Sequence, residues 1–363
     1  MKYTISLPGS PPDVSEVIVG EGLLEGLPGR VDEAVEGRSA YWIWDERVWT
    51  LWGEKVAAFG WPDLASGRVI LFSGSERNKR LLAVEELARQ LARRGADRTS
   101  ALVAVGGGVT GDVTGFLASI YVRGIPHLQV PTTLLAQVDS SIGGKTGVDL
   151  PEGKNLLGTF YQPRSIWMDP QFFETLPEEE FRQGMAEVIK TAMIGDEVLW
   201  EYLEQKSDAV KRRESEALIR IVSSCCLLKA KVVEADEKEA GLRRILNLGH
   251  TVGHAIERLS DYRTPHGDAV SMGMIVSARL AVRFGAFPED DLMRLERLCS
   301  IWGLPVRLPK AFTPEEILSA LKTDKKWIGG TLHFIVPVRI GEVRDCQDLR
   351  MGELREVLAS VRE

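Results

Sequence analysis

The sequence has few cysteines for its length. The 363 residues include four, Cys225, Cys226, Cys299 and Cys346, without the paired spacing of a disulfide framework or of a cysteine zinc site. In a chain of this length they indicate reduced thiols and a cytoplasmic protein. A zinc site made of cysteines is therefore not expected.

Long apolar runs and an excess of positive charge are also missing. The longest apolar stretch, AVSMGMIVSARLAV, is too short to cross a membrane and contains Arg279. The N-terminal residues MKYTISLPGSPPDV have no apolar run behind their lysine, so no signal peptide is expected. The net charge of -7 comes from interspersed acidic and basic residues, which leaves no broad basic surface. We expect neither a membrane nor a nucleic-acid partner.

What is present is typical of a globular enzyme, and the length favours two domains. Residues 1–169 contain short β-rich runs separated by helical patterns, which predicts an α/β domain. These runs are YTISL, EVIVG, AYWIW, RVILF, ALVAV, HLQV and SIWM. Residues 170–363 have almost no such runs, and we expect a mostly α-helical second domain.

Several segments have the apolar spacing of helices. They are 77–95, which ends in Gly95, and then 176–194, 197–235 and 247–259. Near the C-terminus, WIGGTLHFIVPV has two glycines between β-type runs, which predicts one hairpin.

A glycine-rich loop follows the ALVAV run. In GGGVTGD, Gly106, Gly108 and Gly111 match G-x-G-x-x-G between a strand and a helix, where bare amides can approach a pyrophosphate. A tight strand-to-helix turn would give the same pattern. The acidic residue expected about 20 positions later is absent, but Asp45 closes the AYWIW run upstream. Asp45 could bind ribose hydroxyls or simply start a turn.

Three cations lie among glycines and threonines in the next segment. Arg123, Lys145 and Lys154 occur in residues 123–155, which hold few carboxylates to neutralise them. Cations with free backbone amides can bind phosphate or carboxylate. A flexible surface loop with incidental lysines is the alternative.

Three of the five histidines lie within seventeen positions. His250 and His254 share a helix face, and His266 follows shortly after. Glu187, with Lys190 three residues later, lies in an apolar helical segment where a buried carboxylate needs a cation. Glu187 with two of the histidines would supply three N/O ligands and leave a fourth position open, as in catalytic zinc sites. An ordinary ion pair between Glu187 and Lys190 is the alternative.

The histidine helix does not carry the metalloprotease motif, because no glutamate lies between His250 and His254. Arg243 and Asn247 precede His250 at helical spacing, so one face could carry a guanidinium, an amide and an imidazole. Arg243 could bind a substrate carboxylate as a bidentate fork. A solvated basic turn would have the same spacing.

Taken together, these segments resemble the 3-dehydroquinate synthase family. The matching blocks run in order from about residue 40 to residue 330. They are GGGVTGD, RGIPHLQVPTTLLAQVDSSIGGKTGVD, GKN, TLPEEEFRQGMAEVIK, DEKEAGLRRILNLGHTVGHAIE and HGDAVSMGM.

This resemblance implies an N-terminal Rossmann-like domain that binds NAD and a C-terminal helical domain that binds zinc or cobalt, with the active site in the cleft between them. The implied reaction, in the shikimate pathway of aromatic amino acid biosynthesis, converts 3-deoxy-D-arabino-heptulosonate 7-phosphate into 3-dehydroquinate and phosphate. It proceeds by transient oxidation at C5 with NAD, phosphate elimination, re-reduction and aldol cyclisation. The enzyme is a lyase with no net redox change.

The resemblance also implies a role for each matching residue. The metal ligands are Glu187, His250 and His266, while His254 contacts substrate and relays protons. The cofactor set is Asp45, Gly74, Ser75, Glu76, Lys79, Gly108, Val109, Thr110, Gly111, Asp112, Thr132, Thr133, Asp139, Lys145, Lys154, Phe172 and Thr175. The substrate set is Lys145, Asn155, Lys190, Lys229, Arg243, Asn247 and a lysine of the pair Lys325 and Lys326. Arg123 is expected to reach the partner's active site in a homodimer.

Three alternatives remain at this stage. Other sugar phosphate cyclases use substrates without a carboxylate, against which Lys229, Arg243 and Asn247 argue. Metal-dependent NAD polyol dehydrogenases share the architecture but release NADH. A nucleotide-binding module with an inactive second domain would lack at least one ligand or lysine, and every matched position is filled.

Overall fold

The computed structural model describes residues 1–6, 14–321, 327–328 and 331–362. The chain forms two compact units, Met1–Pro177 with Ser215–Lys238, and Glu178–Glu214 with Glu239–Glu363. The predicted boundary after residue 169 lies inside the first unit, and part of the predicted second domain packs with the first. Helical periodicity shows that a segment is buried but not which unit buries it.

The first unit is built on one seven-stranded sheet, in the order β1-β2-β9-β6-β5-β3-β4. Its strands are β1 Lys2–Ser6, β2 Val14–Val19, β3 Ser39–Asp45, β4 Val69–Phe72, β5 Ser100–Gly106, β6 His127–Pro131 and β9 Ser165–Met168. Only β1 is antiparallel to its neighbour among these pairs. Each strand falls on one of the seven predicted β-rich runs, so that prediction is confirmed.

Both faces of the sheet are covered by helices. Along β3, Trp42 and Trp44 point into one buried cluster, while Tyr41 and Ile43 point into the other. The helices that supply these clusters are α1 Leu27–Ala34, α2 Glu46–Ala57, α3 Leu81–Arg93 and α4 Gly108–Ile120. A parallel sheet buried on both sides is the expected α/β architecture.

Two further elements belong to the first unit: a hairpin that was not predicted, and a helix that was predicted for the second domain. A hairpin is formed by β7, Lys145–Leu150, and β8, Gly153–Phe160, and it carries Lys145 and Lys154. Its β8 strand is largely exposed and glycine-containing, so it lacks the apolar alternation of the sheet strands. Helix α7, Ser215–Ala235, belongs to this unit, separated from its predecessor by a break at Arg213, whose φ is +57°.

The second unit is mostly helical, as predicted. Its helices are α5 Glu178–Gly195, α6 Glu197–Lys211, α8 His250–Leu259, α9 His266–Arg283, α10 Glu289–Ile301, α11 Pro314–Leu321 and α12 Met351–Ser360. The predicted hairpin is confirmed by the antiparallel pair β10, Trp327–Ile328, and β11, Thr331–Leu332. A second hairpin joins β12, Phe334–Arg339, to β13, Glu342–Cys346. Across the described ranges, no helix is long and apolar enough to span a membrane.

Helices α8 and α9 pack with their backbones in close contact. A Cβ added at Gly273 would lie 1.9 Å from the carbonyl oxygen of Gly249, and one added at Gly253 would lie 3.0 Å from that of Ala269. Gly249 also has a φ of +78°, which favours glycine. This contact sets the positions of His250 and His266, because each is the first residue of its helix.

Candidate active site

In the first unit, the predicted nucleotide residues lie at the carboxyl edge of the sheet. Asp45 ends β3 and Gly106 ends the neighbouring strand β5. The chain leaves β3 towards β4 on one side and leaves β5 towards β6 on the other. Such a reversal of strand order opens a crevice at the carboxyl ends, where ligands of α/β sheets bind.

Asp45 has a structural role at this edge. Its Oδ1 accepts a hydrogen bond from the Arg47 amide at 2.8 Å and so caps α2. A Cβ added at Gly74 would lie 2.1 Å from Asp45 Oδ2 and 2.6 Å from Thr110 Oγ1. The chain thus needs a glycine at residue 74 for the loops after β3, β4 and β5 to meet.

The N-terminus of α4 has the features of a dinucleotide site. Gly107 precedes α4 and provides no side-chain cap, so the first-turn amides are left to other acceptors. Within the described residues, the buried hydroxyls of Thr110, Thr132 and Ser140 have no hydrogen-bond partner. Bare amides and unpaired hydroxyls at a switch point are the groups that a pyrophosphate and riboses require, so these residues fit NAD.

A charged cluster lies beside this edge. The Lys79 ammonium donates to Asp112 Oδ2 and to Asn155 Oδ1, each at 2.6 Å, and Lys154 pairs with Glu76 at 2.9 Å. Burial alone would lower the pKa of Lys79, but the Asp112 carboxylate raises it above its ordinary value. The structure therefore brings Asn155, predicted for the substrate, into contact with residues predicted for the cofactor.

A second ion pair of the first unit joins α7 to the turn Ala136–Ser140. The Lys229 ammonium contacts the Asp139 backbone carbonyl and lies 2.7 Å from the Asp139 carboxylate. Lys229 is buried and Asp139 is partly exposed. A buried lysine of the substrate set is thereby held against a residue of the cofactor set.

The remaining residues of the first unit have simpler surroundings. Phe172 packs against Trp52, whose indole Nε1 donates to Thr175 Oγ1 at 2.7 Å. The Thr133 hydroxyl accepts from the Ala136 amide at 3.1 Å. Lys145 is exposed at the start of β7.

Arg123 lies in an exposed turn after α4. Val122 has a φ of 43° and Arg123 a φ of 76°, both in the left-handed region. This conformation is costly for a β-branched valine, and such strain concentrates at functional positions.

In the second unit, Glu187, His250 and His266 converge. Each offers a ligand atom, and these atoms lie within 4.8 Å of one another. The Glu187 Oε1 atom is 3.2 Å from His266 Nε2 and 3.4 Å from His250 Nε2. Ligand atoms of a tetrahedral zinc ion, each about 2.0–2.1 Å from it, are roughly 3.3 Å apart, so the set fits such an ion.

The charges around Glu187 keep it ionised. Burial would raise the pKa of Glu187, but Lys190 and the two histidines hold it well below its ordinary value. Lys190 forms an ion pair with the other oxygen, Oε2. Burial and Lys190 lower the pKa of His250. Burial would also lower the pKa of His266, but Glu187 and Glu257 raise it to about 10.

The other predicted site residues of this unit lie on α8 or in the segment just before it. The His254 ring stacks edge-on against His250, with centroids 5.3 Å apart. Asn247 donates to Glu239 Oε1 at 2.7 Å. Arg243 is only 2% exposed. The alternative, a basic solvated turn, does not describe a buried guanidinium. Lys325 and Lys326 lie outside the described residues.

Two carboxylates of this unit were given no role from the sequence. Glu257 approaches the far side of the His266 ring, and Glu239 accepts the hydrogen bond from Asn247. The spacing of His250, His254 and Glu257 places all three on one face of α8, so helical periodicity offered a signal for Glu257. The Glu239 contact depends on the fold of the turn Leu242–Asn247, for which no spacing rule exists.

Solved structures with this fold define the class of protein. The 2-epi-5-epi-valiolone synthase of Streptomyces hygroscopicus, with NAD+ and Zn2+ bound, has a TM-score of 0.85 at 30% identity, covering 95% of this chain and 96% of that one. A 2-deoxy-scyllo-inosose synthase complexed with carbaglucose-6-phosphate, NAD+ and Co2+ has a TM-score of 0.85 at 28% identity, covering 99% and 100%. The fold is therefore that of the sugar phosphate cyclases.

Sequence comparisons identify the family within this class. The models described as 3-dehydroquinate synthase N-terminal and C-terminal match residues 69–183 and 184–327. The 3-dehydroquinate synthase of Symbiobacterium thermophilum is 44% identical over 349 residues, covering 95% of this chain and 97% of the relative. That of Thermodesulfovibrio yellowstonii is 40% identical over 344 residues, covering 94% and 96%. The chain belongs to the 3-dehydroquinate synthase family.

Proposed function

We propose that this chain catalyses the 3-dehydroquinate synthase reaction, the conversion of 3-deoxy-D-arabino-heptulosonate 7-phosphate into 3-dehydroquinate and phosphate. The observation that carries the proposal is the set of Glu187, His250 and His266, with the buried Lys190 paired to Glu187 and the buried Arg243 in the same unit. A metal set alone is common to many enzymes. The ammonium of Lys190 and a buried guanidinium in the same unit are groups that bind phosphate and carboxylate oxygens, which favours an anionic substrate.

Two bound groups supply the chemistry. NAD at the carboxyl edge of the sheet would exchange a hydride with substrate C5, and a divalent ion, Zn2+ or Co2+, would polarise the C5 hydroxyl. Asp45, Thr110 and Thr132 would bind the cofactor, and the amides of residues 108–112 would bind its pyrophosphate. Glu187, His250 and His266 would bind the ion. Lys190 keeps Glu187 ionised and thus ready to act as a ligand.

The cations bind and orient the substrate. Arg243 is buried and has the fork geometry that suits a carboxylate, while Lys145, Lys190 and Lys229 can each bind a phosphate or carboxylate oxygen. Asn247, held by Glu239, and Asn155, held by Lys79, are placed to bind hydroxyl groups. We assign Lys325 to the same set from the family motif. His254 contacts substrate and relays protons, because an imidazole can both donate and accept a proton.

The homodimer is part of this proposal. Arg123 lies in a strained, exposed turn, and Ile120 and Val122 beside it are 47% and 37% exposed. Exposed apolar side chains next to an arginine are typical of interface residues. We propose that the turn contacts a second copy of the chain and that Arg123 completes the partner's active site. A cytoplasmic location agrees with four free cysteines among the described residues, three of them buried.

Product identification tests the function. Purified protein with catalytic NAD, Zn2+ and the heptulosonate phosphate should release one phosphate per substrate and form 3-dehydroquinate without accumulating NADH. Turnover of a sugar phosphate that lacks a carboxylate, with none of the heptulosonate phosphate, would instead assign the chain to another cyclase reaction. NADH accumulating from glycerol-type substrates would assign it to the polyol dehydrogenases. A probable glycerol dehydrogenase of Sinorhizobium meliloti has this fold at 16% sequence identity to the chain.

A further inference from the structure

Glu257 is a buried carboxylate that the proposed reaction does not use. It lies on α8, and only 4% of it is exposed. Its Oε1 atom is 3.4 Å from Nδ1 of His266. A carboxylate this deeply buried needs a donor or a cation, and the imidazole of His266 lies within reach of it.

The His266 ring lies between two carboxylates. Its Nε2 atom is 3.2 Å from Glu187 Oε1, on the side where the three candidate ligands converge, and its Nδ1 atom points to Glu257. A neutral imidazole carries its proton on one nitrogen only, and the other nitrogen keeps the lone pair that binds a metal. When a metal takes the position at Nε2, the remaining ring proton stays on Nδ1, where the Glu257 carboxylate accepts it.

His250 has the same arrangement with a different acceptor. Its Nδ1 atom is 3.1 Å from the Leu248 carbonyl oxygen, and its Nε2 atom is directed to Glu187. Both histidines thus present Nε2 to the converging group, and both have an oxygen at Nδ1. Only for His266 is that oxygen on a side chain, so only there can a substitution remove it.

We propose that Glu257 is a positioning residue for metal binding: its carboxylate accepts the Nδ1 proton of His266, fixes the tautomer and orientation of the ring, and makes Nε2 a stronger ligand. This inference rests on the proposed function, since it takes Glu187, His250 and His266 as the metal set. Outer partners of this kind contribute about 10- to 100-fold to metal affinity in other sites.

Cobalt titration of the metal-free, full-length protein tests the inference without relying on activity. The visible d–d absorption of bound Co2+ reports both affinity and coordination geometry. Glu257→Gln keeps the size of the side chain but replaces the carboxylate by a weaker acceptor. We expect it to bind Co2+ about 10-fold more weakly and to alter the spectrum. Glu257→Ala, which has no acceptor, should bind about 100-fold more weakly. Glu201→Gln, on the exposed face of α6, makes the same chemical change as a control and should leave both readouts unchanged.

The outcomes separate this inference from the function on which it rests. If the wild type binds Co2+ and Glu257→Gln binds it equally, with an unchanged spectrum, Glu257 has no positioning role while the metal site stands. If the wild type binds no Co2+, or binds it regardless of His250→Ala, the metal site itself is wrong. The melting temperature of each metal-free variant is measured alongside, and a drop in it without weaker Co2+ binding also rejects the positioning role. Should Glu257→Gln not fold, Glu257→Asp, which withdraws the charge by one methylene, is titrated instead.

Discussion

The histidines of α8 are one turn apart, but they have different neighbours. The Nε2 atom of His250 approaches Glu187. Within the described residues, the group that could bind a metal contains His250 and His266. His254 instead lies edge-on to His250. An H-x-x-x-H spacing therefore places two imidazoles on one face, and their neighbours on other helices differentiate their roles.

This difference makes a prediction for two alanine variants. His250→Ala removes one of three ligands and should abolish stoichiometric metal binding. His254→Ala should keep about one ion per chain while slowing turnover by about 10²- to 10⁴-fold, the usual contribution of a proton-transferring group. Metal analysis after dialysis, together with turnover, measures both effects. Equal metal loss in the two variants would contradict the ligand assignment.

His127 is a buried histidine outside the candidate site. It lies on β6, stacked on Tyr161 with ring centroids 5.5 Å apart, and neither ring nitrogen has a hydrogen-bond partner in the described part of the chain. Burial lowers the pKa of His127 from 6.5 to about 3. Between these values the unfolded chain binds a proton that the folded chain does not, so stability increases with pH across this window.

We predict that His127→Leu reduces the acid sensitivity of the fold. Leucine has a similar volume and no titratable group. Below pH 6.5 the free energy of unfolding of the variant should therefore depend less steeply on pH, by up to about 1.4 kcal/mol per pH unit, the slope that one proton contributes. Urea unfolding followed by tryptophan fluorescence at several pH values between 4 and 7 measures it. An unchanged slope in the variant would show that His127 titrates normally in the folded protein.

At the scale of elements, the contact between α8 and α9 controls the metal set. Both helices begin with a candidate ligand, and their separation is set by Gly249, Gly253 and Gly273. The histidines can converge on Glu187 only if the helices approach this closely. The glycines are therefore as necessary to the site as the ligands themselves.

Gly273→Ala tests this dependence. The new Cβ would lie 1.9 Å from the Gly249 carbonyl, so the helices must separate, with an overpacking cost of about 1–3 kcal/mol or more. We expect lower stability and at least 10-fold weaker metal binding, measured by thermal unfolding and cobalt titration. Gly352→Ala in α12 is the control, since its Cβ meets no atom within 4 Å. The control should be neutral or slightly stabilising, because alanine favours helix. Equal metal affinity in Gly273→Ala would show that the helix separation is not critical.

At the scale of the whole molecule, the central proposal is a shared active site. Arg123 to Ala should inactivate the chain, because each site of the proposed homodimer uses the arginine of the other subunit. Co-expressed with His254→Ala under a second affinity tag, it should regain activity. A heterodimer contains one site with both residues intact. With one intact site of two, the purified heterodimer should have about half of wild-type activity, and the unsorted mixture, in which random pairing makes half of the dimers heterodimers, about a quarter.

The tagged heterodimer, purified through both tags, is then assayed for phosphate release against each parent variant. Activity no greater than that of the parents would mean that Arg123 acts within its own subunit or not at all. Size-exclusion chromatography with light scattering supplies the control, because a monomeric wild type would rule out the shared site directly.

Local sequence patterns predict most strands and helices of this protein and the segments that carry its candidate site residues. The β-rich runs predicted all seven strands of the main sheet. The inner strands β5 and β6 are buried at every residue because both of their faces are covered, and β5 is continuously apolar along ALVAV, whereas β2 shows the alternating burial of a strand buried on one face. The histidine cluster and the glycine loop each predict a site on one short segment, on α8 and at the end of β5, because both patterns are local in sequence. The hairpin of β7 and β8 was not predicted, since β8 is largely exposed and both strands are short of apolar residues.

Tertiary structure decided which residues meet. Helix α7 returns to the first unit, bringing Lys229 to Asp139, although its periodicity resembles that of the helices before and after it. Glu187 and His266 are 79 positions apart in sequence, and Glu257 approaches the ring nitrogen that faces away from Glu187. The physical reason is that periodicity specifies which face of an element is buried. The partner of that face depends on long-range packing, here on the glycines that let α8 and α9 touch.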